Sequence, residues 1–202
     1  YTISASGPLS FCEGGDVTLS VPDEGFYYQW LLDGVEIPGA NSNTYLADVS
    51  GDYSLIMVVT DTLVLSPVTV TVNPNPSGSL SIDDADSSIC NGTTVTFTAT
   101  DGLNYNFQLN GLSVQDGASD SYVTDSLNDG DVISVSVTNA SNCTSVYAPV
   151  QMEVLPLPVV GFSPLTSVCE DESGITLTQG SPSGGIYTGP GIEADTFRAG
   201  VA

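Results

Sequence analysis

Apolar and polar positions alternate with a period of two along most of the chain, the pattern of strands with one buried face. The alternation predicts strands at VTLSV (17–21), YYQWLL (27–32), TYLAD (44–48), YSLIMVV (53–59) and VTVTV (68–72). It returns at VTFTAT (95–100), YNFQLN (105–110), SYVTD (121–125), VISVSVT (132–138) and APVQMEV (148–154). Turn formers separate these runs, among them Asp33-Gly34, Pro38-Gly39, Gly51-Asp52, Asn110-Gly111 and Asn128-Asp129-Gly130. Asp-Gly and Asn-Gly suit primed hairpin turns, whose central residues need positive φ. No stretch combines helical periodicity with caps. Short strands with a turn every ~8–12 residues predict a β-sandwich.

The two strand sets are copies of one unit. Tyr28–Val35 aligns with Tyr105–Leu112, 77 residues later, with Phe107 in the place of Trp30. The match extends to Cys12 and Cys90, to GANSNTY (39–45) and GASDSY (117–122), and to SGDYSLIMVVT (50–60) and DGDVISVSVT (129–138). SPVTVTV (66–72) and APVQMEV (148–154) close the two copies. A third copy opens at Cys169 and reaches Tyr187. A period of about 78 residues is too long for a solenoid unit and suits a small complete domain. NPNPSG (73–78) and LPLP (155–158) read as short, semi-rigid linkers. The predicted domains are therefore 1–74, 77–156, and the N-terminal part of a third over 157–202, strung as an extended array.

An aromatic on the third strand of an immunoglobulin-like sandwich packs across the core, and Tyr53 falls where such domains place a tyrosine corner. Trp30, Phe107 and Tyr53 are therefore expected in cores, and the predicted fold is all-β, in tandem immunoglobulin-like β-sandwiches. Tyr27 and Tyr28 point to opposite faces, so one of them is expected to be exposed and able to stack on a sugar ring.

Charge narrows the function. There are 24 acidic residues, one basic residue (Arg198) and no histidine, for a net charge of −23. Nucleic acid and anionic membranes both demand Lys or Arg, so neither is expected as a partner. No apolar run reaches the ~18 residues of a membrane helix, so direct membrane insertion is not expected. Without His or Lys the chain cannot build a Ser-His-Asp triad, a Cys-His pair, a Schiff-base lysine or a histidine metal site. Carboxylates on the turns of separate small domains face no cleft, so the chain is not expected to be an enzyme. No cofactor is expected, with calcium as the one candidate. Asp83, Asp84 and Asp86, just after the first linker, could chelate it. Asn128-Asp129-Gly130-Asp131 is a second such cluster. Ordinary acidic turns are the competing reading for both.

Of the four cysteines, Cys12, Cys90 and Cys169 share one repeat position, while Cys143 is a late cysteine found only in the second copy. This predicts a Cys90–Cys143 disulfide inside the second domain. It would close a loop of about 54 residues, worth about 4 kcal/mol in the chain-entropy model. It leaves Cys12 unpaired and buried, and Cys169 in need of a partner beyond residue 202. A disulfide implies an oxidising, extracellular setting.

The motifs C-x-G-x-x-V-T-L/F, Y-x-W/F-x-L-D/N-G, G-A-x-S-x-T-Y, S-L-N-D-G-D and V-T-N-A-x-N-C-T, with a P-V-x-V ending, resemble a known class. They look like the tandem immunoglobulin-like repeats of large Bacteroidota surface proteins, which include gliding-motility adhesins and other type IX secretion substrates. SLNDGDVISVSVTNASNCT (126–144) carries the resemblance most specifically, and SPSGGIYTGPGIEADTF (181–197) is similar to another repeat of these proteins. The resemblance implies a non-catalytic stalk or adhesive module, extracellular and associated with the outer membrane at the cell surface. The implied partners are neighbouring repeats and a surface polysaccharide or other cell-surface molecule. It also implies O-glycosylation at Asp-Ser/Thr-apolar triplets, here at Thr62 and Ser126. Two alternatives stand beside it: a filament subunit completed by a strand from a neighbouring chain, and a spacer in a secreted multidomain enzyme. The chain opens at Tyr1 with no signal segment, as expected of a mature or excised piece.

Overall fold

The computed structural model describes residues 1–165, 167, 169 and 173–201. Tyr1–Val154 forms one compact unit and Leu155–Ala202 a second. The first unit contains two sandwiches with separate hydrophobic cores.

The first sandwich comprises β1 (Ser4–Ala5), β2 (Ser10–Cys12), β3 (Val17–Ser20), β4 (Tyr27–Leu32), β5 (Val35–Glu36), β6 (Thr44–Ala47), β7 (Gly51–Val58), β8 (Thr62–Val64) and β9 (Val68–Asn73). One sheet has the order β1-β3-β6; the other runs β2-β9-β7-β4-β5, with β8 also on β7. The chain changes sheets between β1 and β2, and β2 then runs parallel to β9, with Cys12 opposite Asn73. Inward residues alternate as the sequence requires: Val17 and Leu19 from one sheet meet Trp30, Tyr53, Leu55 and Met57 from the other. Trp30 is fully buried, sits opposite Leu55, and donates its indole N–H to the Ser42 carbonyl at 2.9 Å. Tyr53 is equally buried, and its hydroxyl donates to the Val49 carbonyl four residues back at 3.1 Å, which is a tyrosine corner.

The second sandwich repeats the plan with β10 (Leu80–Ile82), β11 (Ser88–Cys90), β12 (Val95–Ala99), β13 (Asn104–Leu109), β14 (Leu112–Gly117), β15 (Ser121–Thr124), β16 (Val132–Thr138), β17 (Thr144–Val146), β18 (Val150–Gln151) and β19 (Glu153–Leu155). Its sheets are β10-β12-β15 and β14-β13-β16-β17, with β18 on β16, while β11 and β19 pair with each other. Phe107 is fully buried opposite Val135, and Tyr122 stacks near both Phe97 and Phe107. Ile133 takes the place of Tyr53, so this copy has no tyrosine corner. A different tyrosine ties it. Tyr147 donates its hydroxyl to the Thr100 carbonyl at 2.8 Å and accepts the Gly78 amide at 3.0 Å.

Asp33 and Gly34 both have positive φ (50° and 79°), as do Asn110 and Gly111 (51° and 81°), so both hairpins use primed turns. The turn side chains reach across: Asp33 Oδ1 accepts the Asp52 amide at 2.9 Å, and Asn110 Oδ1 accepts the Val132 amide at 3.0 Å. Three departures from the sequence pattern have simple causes. The six-residue β14 is mostly exposed along both faces, so it carries no alternation to read. The APVQMEV run is not one strand; it splits into β18 and β19, which pair with different neighbours, and Met152 sits between them. Strands of two or three residues, such as β2 and β11, are too short to show a period.

In the second unit β20 (Gly161–Phe162) pairs with β22 (Gly180–Ser181), and β21 (Ile175–Thr176), β24 (Thr196–Phe197) and β23 (Ile192–Glu193) form a small sheet. Among its described residues Leu177 is the one buried hydrophobic, and Val159, Val160 and Ile186 are more than four-fifths exposed. No helix among the described residues is long and apolar enough to cross a membrane.

Tyr53→Phe should cost about 1 kcal/mol by removing one buried hydrogen bond, and Phe107→Ala about 3–5 kcal/mol by opening a cavity. Urea unfolding of each variant checks both values; an unchanged midpoint for Phe107→Ala would contradict its place in the core.

Candidate functional site

A dense set of polar contacts lies where the two sandwiches meet. The chain leaves β9 through Asn73-Pro74-Asn75-Pro76-Ser77-Gly78, and the polar groups of this linker are held from both sides. On the first-sandwich side, Asn73 Nδ2 donates to Ser10 Oγ (2.9 Å) and to the Phe11 carbonyl (3.2 Å). The Glu13 amide donates to the Asn73 carbonyl at 2.9 Å. Glu13 in turn accepts from Asn75, its carboxylate from the amide and its carbonyl from the side chain. On the second-sandwich side, Asn139 Nδ2 donates to the Pro74 carbonyl at 2.8 Å, and Asp101 accepts the Ser77 amide. Pro76 is buried.

A disulfide between Cys12 and Cys143 closes this junction, with Cα atoms 5.5 Å apart and a sequence separation of 131. This corrects the expected Cys90–Cys143 bond and the expected unpaired Cys12; Cys90 is a free, exposed thiol, and so is Cys169. The reason is the geometry of a sandwich. Cys90 precedes the start of β12, whose first residue Val95 lies opposite Thr124. Cys143 lies in the turn between β16 and β17, beyond Thr138 at the other end, where the Leu103 amide donates to the Thr138 carbonyl. The five residues of β12 alone span about 17 Å, whereas a disulfide needs Cα atoms within about 7 Å. Cys12 occupies the same position as Cys90 one repeat earlier, at the end of its own sandwich that faces the turn holding Cys143. Asn139 shapes that turn: its Oδ1 accepts the amides of Ser141 and Cys143, at 3.0 and 3.1 Å.

The acidic clusters accept hydrogen bonds from backbone amides. Asp83 Oδ1 accepts the Thr96 amide at 3.0 Å, so it is turned away from its neighbours. Asp84 and Asp86 do approach each other. The contact with the Asp84 carboxyl, and then the Ser88 amide, hold the exposed Asp86 below the ordinary carboxylate value. Among the described residues no three acidic or thiol side chains converge as metal ligands. In the second cluster Asp131 is 8% exposed; it accepts from the Asn128 amide (2.8 Å) and from Asn110 Nδ2 (2.7 Å). Those bonds, the Asn128 amide first, lower its pKa from an ordinary 3.8. Asp129 Oδ1 caps the Val154 amide at 3.1 Å.

Thr62 and Ser126 are both exposed, Ser126 with its hydroxyl bonded to Asp125 at 2.8 Å. Tyr27 is 59% exposed while Tyr28 is buried, which settles which of the pair faces solvent. In the first unit a hollow of about 400 Å³ lies over Asp33, Asp52 and Ser54. The second unit has one of about 450 Å³ beside Phe162, Ile186 and Tyr187.

Comparison with known proteins adds little to this. No protein-family model matches the chain, and no curated protein matches it. Among solved structures it is similar to the fibronectin(III)-like modules of CbhA from Clostridium thermocellum, at 14% identity over 77% of this chain and 94% of that one, with a TM-score of 0.39. It is similar to murine CEACAM1b, at 14% identity over 76% and 99%, with a TM-score of 0.39. It is also similar to the mouse coronavirus receptor-binding domain complexed with its murine receptor, at 15% identity over 76% and 99%, with a TM-score of 0.42. At these values the strand order and registers, not the likeness, carry the assignment. The chain is a set of tandem immunoglobulin-like β-sandwiches.

Cys12→Ser with Cys143→Ser should lower the stability of the 1–154 unit by about 2–4 kcal/mol, or roughly 5–15 °C in Tm, read by calorimetry. Asp131→Ala should cost about 2 kcal/mol at neutral pH, because it strands the amides of Asn110 and Asn128. The folded carboxyl titrates below its unfolded value, so its contribution is complete above pH ~4 and is lost as pH falls through the folded value. The gap between wild type and Asp131→Ala should therefore close in acid. Millimolar calcium should shift Tm no more than magnesium does, since the two carboxylates that approach each other, Asp84 and Asp86, fall short of calcium's six to eight oxygens. A saturable, calcium-selective rise would contradict this.

Proposed function

We propose that the chain is part of the extracellular, non-catalytic repeat region of a large bacterial surface adhesin, in which the sandwiches act as a stalk and adhesive module. The observation that carries this reading is the Cys12–Cys143 bond between two repeats. A disulfide inside one domain stabilises that domain, but a disulfide between domains holds their relative orientation. That property is useful when a binding surface must be carried away from a cell. Three further features support it. Disulfides persist in oxidising, extracellular compartments. The repeat motifs resemble those of Bacteroidota surface proteins exported by type IX secretion. The net charge of −23 with a single basic residue keeps such a region soluble and leaves Arg198 as the one site for trypsin-type proteases. Partners of this module are its neighbouring repeats and a surface polysaccharide or other cell-surface molecule. The exposed Thr62 and Ser126 hydroxyls are open to O-linked carbohydrate.

A second reading, a filament subunit, draws on the second unit. Its exposed Val159, Val160, Phe162 and Ile186 offer apolar surface that a strand from a neighbouring chain could cover.

The intact mass of the native polypeptide, with its terminal peptides sequenced, separates the two. A mass far above 20.8 kDa with further repeats supports the stalk. A mass near that value, with the protein recovered as polymers, overturns it in favour of the filament.

A further inference from the structure

Cys12 has a structural twin whose sulfur carries no partner. Ser10-Phe11-Cys12 ends β2 and Ser88-Ile89-Cys90 ends β11, and each short strand lies against the last strand of its sandwich. The chain enters both in the same way: the Thr71 amide donates to the Leu9 carbonyl at 2.8 Å, and the Glu153 amide to the Ser87 carbonyl at 2.9 Å. It leaves both in the same way: the Gly15 amide returns to the Cys12 carbonyl and the Thr93 amide to the Cys90 carbonyl, each at 3.0 Å. Both exits turn over a glycine of positive φ, Gly14 at 86° and Gly92 at 83°. The prolines that follow also match: Asn73-Pro74-Asn75-Pro76 after β9, and Leu155-Pro156-Leu157-Pro158 closing the second sandwich. The short strand, entry and exit turn that hold Cys12 are thus built twice, and at the second copy the thiol is free and exposed. Cys143 is already bonded, and Cys169 holds the same repeat position as Cys12 and Cys90, not the turn position.

We propose that Cys90 is one half of a second inter-repeat staple and forms a disulfide with the turn cysteine of another immunoglobulin-like repeat of this kind. That turn is of the Asn139–Cys143 type, with an Asn folding the loop back onto the cysteine amide. In the bond-forming step the two thiols give up two protons and two electrons to a disulfide-carrying oxidant, which is reduced to its dithiol. Repeated along an array, this wiring links each sandwich covalently to its two neighbours through its opposite ends. The proposal rests on the stalk reading above and adds a rule to it: the early cysteine of one repeat bonds the late cysteine of another.

The test is disulfide mapping of the native polypeptide by mass spectrometry. Free thiols are blocked with N-ethylmaleimide in mild acid, and the chain is cut at Asp and Glu because trypsin has one site. The expected result is Cys12 joined to Cys143, and Cys90 unalkylated and joined to a peptide whose cysteine ends an Asn-containing turn outside residues 1–202. Cys90 recovered alkylated, joined to Cys169, or joined to a second Cys90 overturns the proposal. If further repeats with turn cysteines are present in that digest, the stalk reading survives such a failure. If no further repeat is present, both fail.

Discussion

The structure of residues 1–154 turns on the covalent bond between the end of one sandwich and the opposite end of the next. Each sandwich has its own core and needs nothing from its neighbour to bury Trp30 or Phe107. What neither core supplies is a fixed angle between them. A six-residue Pro-rich linker alone would be semi-rigid at best. Here the disulfide and the Asn139–Pro74 hydrogen bond clamp it on one side, and Glu13, Asn73 and Asn75 lock it on the other. A hinge needs backbone that can change φ and ψ without losing partners, and this linker has little of it.

The clamp follows from how an immunoglobulin-like chain threads its ends. The last strand of a sandwich exits beside the short strand that carries the early cysteine, because β2 runs parallel to β9. The next sandwich begins there, and the end it presents carries the turn between β16 and β17. An early cysteine and the late cysteine of the following copy are therefore brought together by the chain's own path. The early and late cysteines of one copy are held apart by the length of β12. Tyr147 secures the second side of the same joint by bonding Gly78 and Thr100, a task that needs no tyrosine in the first copy.

The repeat, the strands of the buried faces, the primed turns and the core aromatics were legible in the sequence, because each depends on local pattern: alternation, Asp-Gly or Asn-Gly, a large aromatic at a fixed place. The exposed edge strand Leu112–Gly117 was not, since an element with no buried face leaves no period. The disulfide is not legible there for a different reason. Copy membership put Cys90 and Cys143 in the same domain, but bonding depends on which end of the domain each occupies, and alternation says nothing about ends. The acidic cluster was likewise ambiguous. Asp83, Asp84 and Asp86 are close in sequence, yet Asp83 is drawn off by the Thr96 amide, a partner ten positions beyond Asp86. Asp131 is the residue with a defined electrostatic role, and its signal was there only as part of a turn.

Nitrogen-15 relaxation of the 202-residue chain tests the central claim most directly, because it reads whether the two sandwiches tumble together. The account predicts one rotational correlation time for both sandwiches in the oxidised protein, and separate, shorter times once Cys12–Cys143 is reduced. Two independent correlation times in the oxidised protein would show a free hinge at residues 73–78 and contradict the account.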